Sequence, residues 1–236
     1  TRSVYGNWFW FEHQFLRNSL VTMTAPSAQL LGEIGLDPSW SHTVEVPSHD
    51  EKTHRWYYLD RPGLDDSAPT VLCLHGNPTW SFFYRRLILA LREHGRCIVP
   101  DHIGCGLSDK PAYPDFQYNL ESHGQNIIDL LDHLKIDRIR LVVHDWGGAI
   151  GLSAFRNQPE RIEKIVLMNT AAFPSRDVPL RILLCRLPIL GALLVRGLNG
   201  FAAPATVMAV KKPLPRPVKR GFLYPYQSWD NRVAVW

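Results

Sequence analysis

Residues 138–151, Arg-Ile-Arg-Leu-Val-Val-His-Asp-Trp-Gly-Gly-Ala-Ile-Gly, constrain this chain more than any other stretch. Positions 139–143 are apolar and largely β-branched apart from Arg140, and short enough for a buried strand. The pattern then changes at once. His144, Asp145 and Trp146 are followed by Gly147, Gly148 and Gly151, with a helix expected over 149–157. Glycines at such a turn let the helix lie close to the strand, which pushes the residue at the apex up into a pocket. Here that residue is Asp145, so the chemistry starts from a carboxylate nucleophile. The competing explanation is a buried Asp capping the N-terminus of the next helix. The pentapeptide alone does not separate the two.

Two further stretches do. In residues 70–80, a buried strand over 71–74 leads into the turn His75-Gly76-Asn77-Pro78, placed to supply an oxyanion-hole N–H beside the nucleophile. In residues 97–111, the strand Cys97-Ile98-Val99 runs into Asp-His-Ile-Gly-Cys-Gly-Leu-Ser-Asp-Lys-Pro. Gly104-Cys105-Gly106 is not a dinucleotide loop, because the third glycine is missing and no helix is expected there.

Together, His-Gly-Asn-Pro, Asp-His-Ile-Gly-x-Gly-x-Ser-Asp-Lys-Pro and His-Asp-Trp-Gly-Gly, in this order and spacing, resemble the haloalkane dehalogenase family of α/β-hydrolases, from about His54 onward. The resemblance implies an α/β fold: a mostly parallel sheet with helices on both faces and a helical cap. It also implies that Asp145 displaces halide from an alkyl halide through an alkyl-enzyme ester, while the Asn77 amide and the Trp146 indole N–H donate to the departing anion. Taken singly, Asn77 also reads as a turn residue before Pro78, and Trp146 as a packing aromatic. Epoxide hydrolases are similar at the elbow but usually carry an aromatic residue where this chain has Asn77. The stretches Asn169-Thr-Ala-Ala-Phe-Pro174 and Ser228-Trp-Asp-Asn-Arg232 resemble a dehalogenase subgroup that includes β-lactone decarboxylases of olefin biosynthesis, so that chemistry is the alternative. Phe173 and Pro174 become candidate pocket residues.

Composition narrows the remaining classes. The 236 residues are 45% hydrophobic and 20% charged, as in a soluble globular domain. A net charge of +4 with no aromatic-interleaved basic stripe gives no reason to propose nucleic acid. Cys73, Cys97, Cys105 and Cys185 lack paired metal spacing and read as reduced thiols of a cytoplasmic protein; no metal and no cofactor are expected. The expected partner is a small apolar substrate, a haloalkane or a β-lactone, without stable membrane insertion. Residues 1–22, with Trp8, Phe11 and Phe15, read as an interfacial aromatic helix or as sequence upstream of a natural start at Met23; the second is favoured.

The chain divides into an N-terminal extension at 1–39, a hydrolase core at 40–176 and a partial helical cap at 177–236. Residues 40–62 alternate as a hairpin, 80–92 and 120–134 have helical periodicity, and 162–168 reads as the strand after the elbow helix. The broken apolar run from Pro179 is too interrupted to span a membrane and fits a cap that roofs a pocket.

Breakdown of an Asp ester needs a His to activate water and a carboxylate to orient it. All ten histidines lie at or before position 144. Glu160, Glu163, Asp177 and Asp230 do not fall at a later strand end. The catalytic acid and His are therefore expected beyond Trp236, with the last strands missing and 162–168 left as a sheet edge prone to aggregation. His144 is expected to point into the scaffold, and His75 to bond beneath the oxyanion turn. A non-catalytic fragment remains the reading of a different class.

Overall fold

The computed structural model describes residues 26–48, 51–64, 67–112, 115–171, 173 and 180–236. Pro174, Asp177 and the aromatic segment 1–22 lie outside the described residues. The strands are β1 (Ser41–Pro47), β2 (Thr53–Arg61), β3 (Thr70–Leu74), β4 (Cys97–Pro100), β5 (Ile139–His144) and β6 (Ile162–Met168). They form one sheet in the order β1-β2-β4-β3-β5-β6. The β1–β2 and β2–β4 pairs are antiparallel; β4, β3, β5 and β6 run parallel. After β3 the chain steps to one side for β4 and then to the other for β5. This reversal opens a crevice at the carboxyl ends of β3, β4 and β5, where open α/β sheets place their sites.

The period of two along β3 shows how the faces are filled. Leu72 and Leu74 point to a core shared with Ile127, Leu130, Leu131, Ile150 and Phe155 of α3 (Leu120–His133), α4 (Trp146–Ala154) and its end. Val71 and Cys73 point the other way, into a core with Leu31, Ile34, Trp80, Phe82 and Ile88. That second core includes α1 (Ala28–Ile34), so part of the stretch assigned to an N-terminal extension packs against the sheet. Asn119 caps α3 through its side chain, and Ser27 caps α1.

The expected helix over 80–92 is a 3₁₀ turn, Ser81–Tyr84, running into α2 (Arg85–Ala90). The helix after the elbow starts at Trp146, directly after Asp145, rather than at 149. Glycines are poor intrinsic helix formers, which displaced the expected start; here they are retained for close packing. After β6 come short helices, α5 (Leu180–Cys185), α6 (Pro188–Ala192), α7 (Ala202–Met208) and α8 (Arg216–Leu223), and a final 3₁₀ segment, Asp230–Val235. No single described helix is long and apolar enough to cross a membrane.

Candidate active site

Asp145 sits at the end of β5 with φ 54° and ψ −128°, a backbone conformation that costs a non-glycine residue about 1–3 kcal/mol. The glycines around it leave no alternative geometry. A Cβ on Gly147 would overlap the Leu74 carbonyl, one on Gly148 would overlap the Thr170 hydroxyl, and one on Gly76 would overlap the Asp145 side chain itself. The Asp145 carbonyl accepts from Gly148 N–H at 3.0 Å and from Thr170 Oγ at 2.6 Å, which pins the turn from behind.

The side chain of Asp145 does not support the capping reading. It makes no capping hydrogen bond to α4. Instead its Oδ1 accepts the backbone N–H of Asn77 at 2.9 Å, across the crevice from the turn after β3. Asp145 and Asn77 are each partly buried. Asp145 is thus held by the amide that an oxyanion turn would supply.

The Asn77 side chain faces the last segment of the chain: Nδ2 donates to the Ala234 carbonyl at 3.2 Å, and Oδ1 is buried without a partner. One Nδ2 hydrogen is engaged there, leaving the second. Gly104 packs against Ala234 and Tyr118, so the loop after β4 and the final segment meet at the same place. The C-terminal helical segment is tied to the β3 turn by two more bonds. Trp80 Nε1 donates to Gly221 at 3.0 Å, and the Tyr226 hydroxyl donates to Thr79 at 2.8 Å. Trp146 opens α4 with about half of its surface exposed (54%), and Phe173 is more exposed still. The structure therefore joins Asn77 to Asp145 directly, and Trp146 follows in sequence.

The loop over 101–111 is a polar knot rather than a ligand cradle. The buried Asp101 carboxylate accepts from Ser81 N–H at 2.6 Å and Leu107 N–H at 2.7 Å. Burial pushes its pKa up to about 6, against the lowering effect of those bonds and of Lys110. Lys110 Nζ is ringed by the carbonyls of Gly106 and Ser108, and burial lowers it to about 8. The Ser108 hydroxyl donates to the Asp101 carbonyl and accepts Tyr57 N–H.

Two buried histidines, His75 and His102, and the half-buried His123 lie beneath the turn. His75 is held well below its ordinary pKa by burial, His102 is lowered to about 4 and His123 to about 3 for the same reason. His75 bonds to its own turn, as expected, but its bonding to His102 was not legible. No single-strand pattern pairs two residues from different loops. His144 is stacked on Phe83 with ring centroids 4.3 Å apart and is lowered by burial. Among the described residues no group of His, Cys, Asp and Glu is arranged to hold a metal ion.

Known proteins resemble this chain in sequence and fold. The chain is 44% identical over 170 residues to the cis-3-alkyl-4-alkyloxetan-2-one decarboxylase of Shewanella oneidensis, covering 70% of this chain and 54% of that protein. It is 37% identical over 132 residues to haloalkane dehalogenase 2 of Mycobacterium tuberculosis, covering 56% of this chain and 44% of that one. The chain thus spans about half the length of these relatives. The haloalkane dehalogenase DbeA of Bradyrhizobium elkani superposes with a TM-score of 0.72 at 25% identity, covering 83% of this chain and 66% of that chain. Residues 69–204 match the alpha/beta hydrolase fold family, and the chain belongs to it.

Proposed function

We propose that Asp145 is the nucleophile of a dehalogenase-like reaction on a small apolar substrate. The observation that carries this reading is the Asn77 N–H bond to Asp145 Oδ1 at a turn of positive φ. The bond leaves Oδ2 for attack. Oδ2 forms a bond to a substrate carbon as that carbon's bond to its leaving group breaks, and the leaving group takes the electron pair. The Trp146 indole N–H and the second Asn77 Nδ2 hydrogen receive the developing negative charge. Both donors are neutral, which suits a weakly basic anion that must later depart. Phe173 is the candidate for the apolar wall.

Between the two substrate classes we favour a β-lactone with alkyl substituents. The identity to the oxetanone decarboxylase, 44%, exceeds that to the dehalogenase, 37%. Attack by Asp145 Oδ2 on the ring's sp3 carbon would break that carbon's bond to the ring oxygen and leave a carboxylate. That carboxylate would then leave as carbon dioxide, its electrons forming the alkene as the ester bond breaks and the Asp145 carboxylate is regenerated. The alkyl halide is the second reading, supported by Asn77 and Trp146 standing where dehalogenases carry their halide donors. With an alkyl halide the ester should persist on this 236-residue chain, because no histidine follows Asp145 and His144 is stacked on Phe83. The buried, unbridged Cys73 and Cys97, with sulfurs 3.8 Å apart, support a reducing cytoplasmic setting.

The test is intact-protein mass spectrometry after parallel incubation with a bromoalkane and a cis-dialkyl β-lactone. Trp146→Phe removes the indole donor and should slow covalent labelling by the bromoalkane, and consumption of the β-lactone, about tenfold or more. Equal rates in the variant and the parent would remove Trp146 from the reaction.

A further inference from the structure

The 101–111 loop takes no part in the chemistry above, yet its second residue reaches the turn that carries Asn77. His102 N–H donates to His75 Nε2 at 3.1 Å, and His102 Nε2 stands 3.1 Å from the His75 carbonyl. His75 Nδ1 stands 2.9 Å from the Gly76 carbonyl. These contacts assign the protons. His75 Nε2 is an acceptor, so its ring proton is on Nδ1 and is donated to Gly76; a carbonyl only accepts, so His102 carries its proton on Nε2.

The Gly76 carbonyl also receives Thr79 N–H at 3.0 Å and the Thr79 hydroxyl at 2.9 Å. The Gly76–Asn77 peptide is trans, the cis bond being Asn77–Pro78. In a trans peptide the N–H points opposite to the C=O. Three donors on the Gly76 carbonyl therefore aim Asn77 N–H at Asp145 Oδ1.

We infer that His75 and His102 are positioning residues: locked as opposite tautomers, they hold the Gly76 carbonyl and, through it, the amide that meets the nucleophile. The effect on rate rests on the Asp145 reading; the tautomers and the amide geometry do not. If the two rings only filled space, any side chain of similar volume would serve.

Nitrogen-15 NMR of the histidines in the full 236-residue chain at neutral pH should show His75 protonated on Nδ1 and His102 on Nε2. The reverse tautomers, or a charged ring, would overturn the inference. His75→Asn keeps a donor at the Nδ1 position, whereas His75→Gln moves the amide to the Nε2 position and loses it. The Asn77 amide proton should hold its chemical shift in H75N and move upfield in H75Q. The maximal labelling rate should stay within about threefold in H75N and drop at least about tenfold in H75Q, with the half-saturating concentration unchanged. Equal responses in two folded variants would show that only volume matters. If neither variant folds, the parent tautomers decide. If the parent is not labelled, the nucleophile reading fails while tautomers and amide shift still judge this one.

Discussion

Strands β5 and β6 are neighbours of similar composition, and they lead different lives. In β5, Ile139, Leu141 and Val143 are fully buried, with β3 on one side and β6 on the other. In β6, Ile165, Val166 and Leu167 are each 44–57% exposed, and the strand forms the edge of the described sheet. From its sequence, 139–143 reads as a buried strand, whereas 162–168, no less apolar toward its end, reads as a strand left at the sheet edge. The difference teaches that such a run states what a strand is suited to be covered by, whereas its exposure depends on which other chain segments reach it. The candidate chemical groups follow the same division: Asn77, Asp145 and Trp146 come at the ends of the covered strands β3 and β5, whereas Thr170 and Phe173 follow β6.

The largest effect should come from the covered side. Gly147→Ala puts a methyl group into the Leu74 carbonyl, a backbone atom that cannot step aside, and should cost about 3 kcal/mol or more in urea unfolding. A soluble variant of parental stability would mean that the elbow is looser than described. Next, Leu141→Ala on β5 should lower stability by about 2–5 kcal/mol through lost burial and the cavity left behind.

Acid should also act on the covered side. His75, His102 and His123 have folded pKa values below the unfolded one, so their neutral forms favour the fold above about pH 6.5 and that stability is lost as pH falls toward 4. At about 1.4 kcal/mol per pKa unit, His102 alone accounts for a loss on the order of 3 kcal/mol. Asp101, raised to about 6, acts oppositely: its contribution grows as pH falls through 6. The three histidines outweigh it, so the urea midpoint should fall steadily from pH 6.5 to 4. A midpoint flat across that window would contradict neutral buried rings.

The smallest effect belongs to the edge. Leu167→Ala on β6 should change stability by less than about 1 kcal/mol, since more than half of that side chain is already exposed. A cost equal to that of Leu141→Ala would show that β6 is as covered as β5.

The legibility of the chain in its sequence follows the same line. Asp145 with Gly147, Gly148 and Gly151 reads as an elbow because the signal is local: a strand, a bend and small residues within a few positions. Asn77 was readable as a turn residue beside the nucleophile for the same reason. Its contact with Ala234 was not, because the two are 157 positions apart and nothing in either stretch marks the other. The His75–His102 pair was hidden likewise; each histidine sits in a recognisable motif, but only the sheet order sets β3 beside β4. The helix α4 starts at Trp146 rather than at 149, a boundary that propensity reads poorly where glycines serve packing.

The central claim is that Asp145 is the group that bonds to substrate. Proteolytic digestion of chain incubated with a bromoalkane, with tandem mass spectrometry of the fragments, locates the bond directly. The label should map to the Asp145 carboxylate and be absent in a folded Asp145→Asn variant. A label on any other residue, or one that survives in Asp145→Asn, would contradict the account.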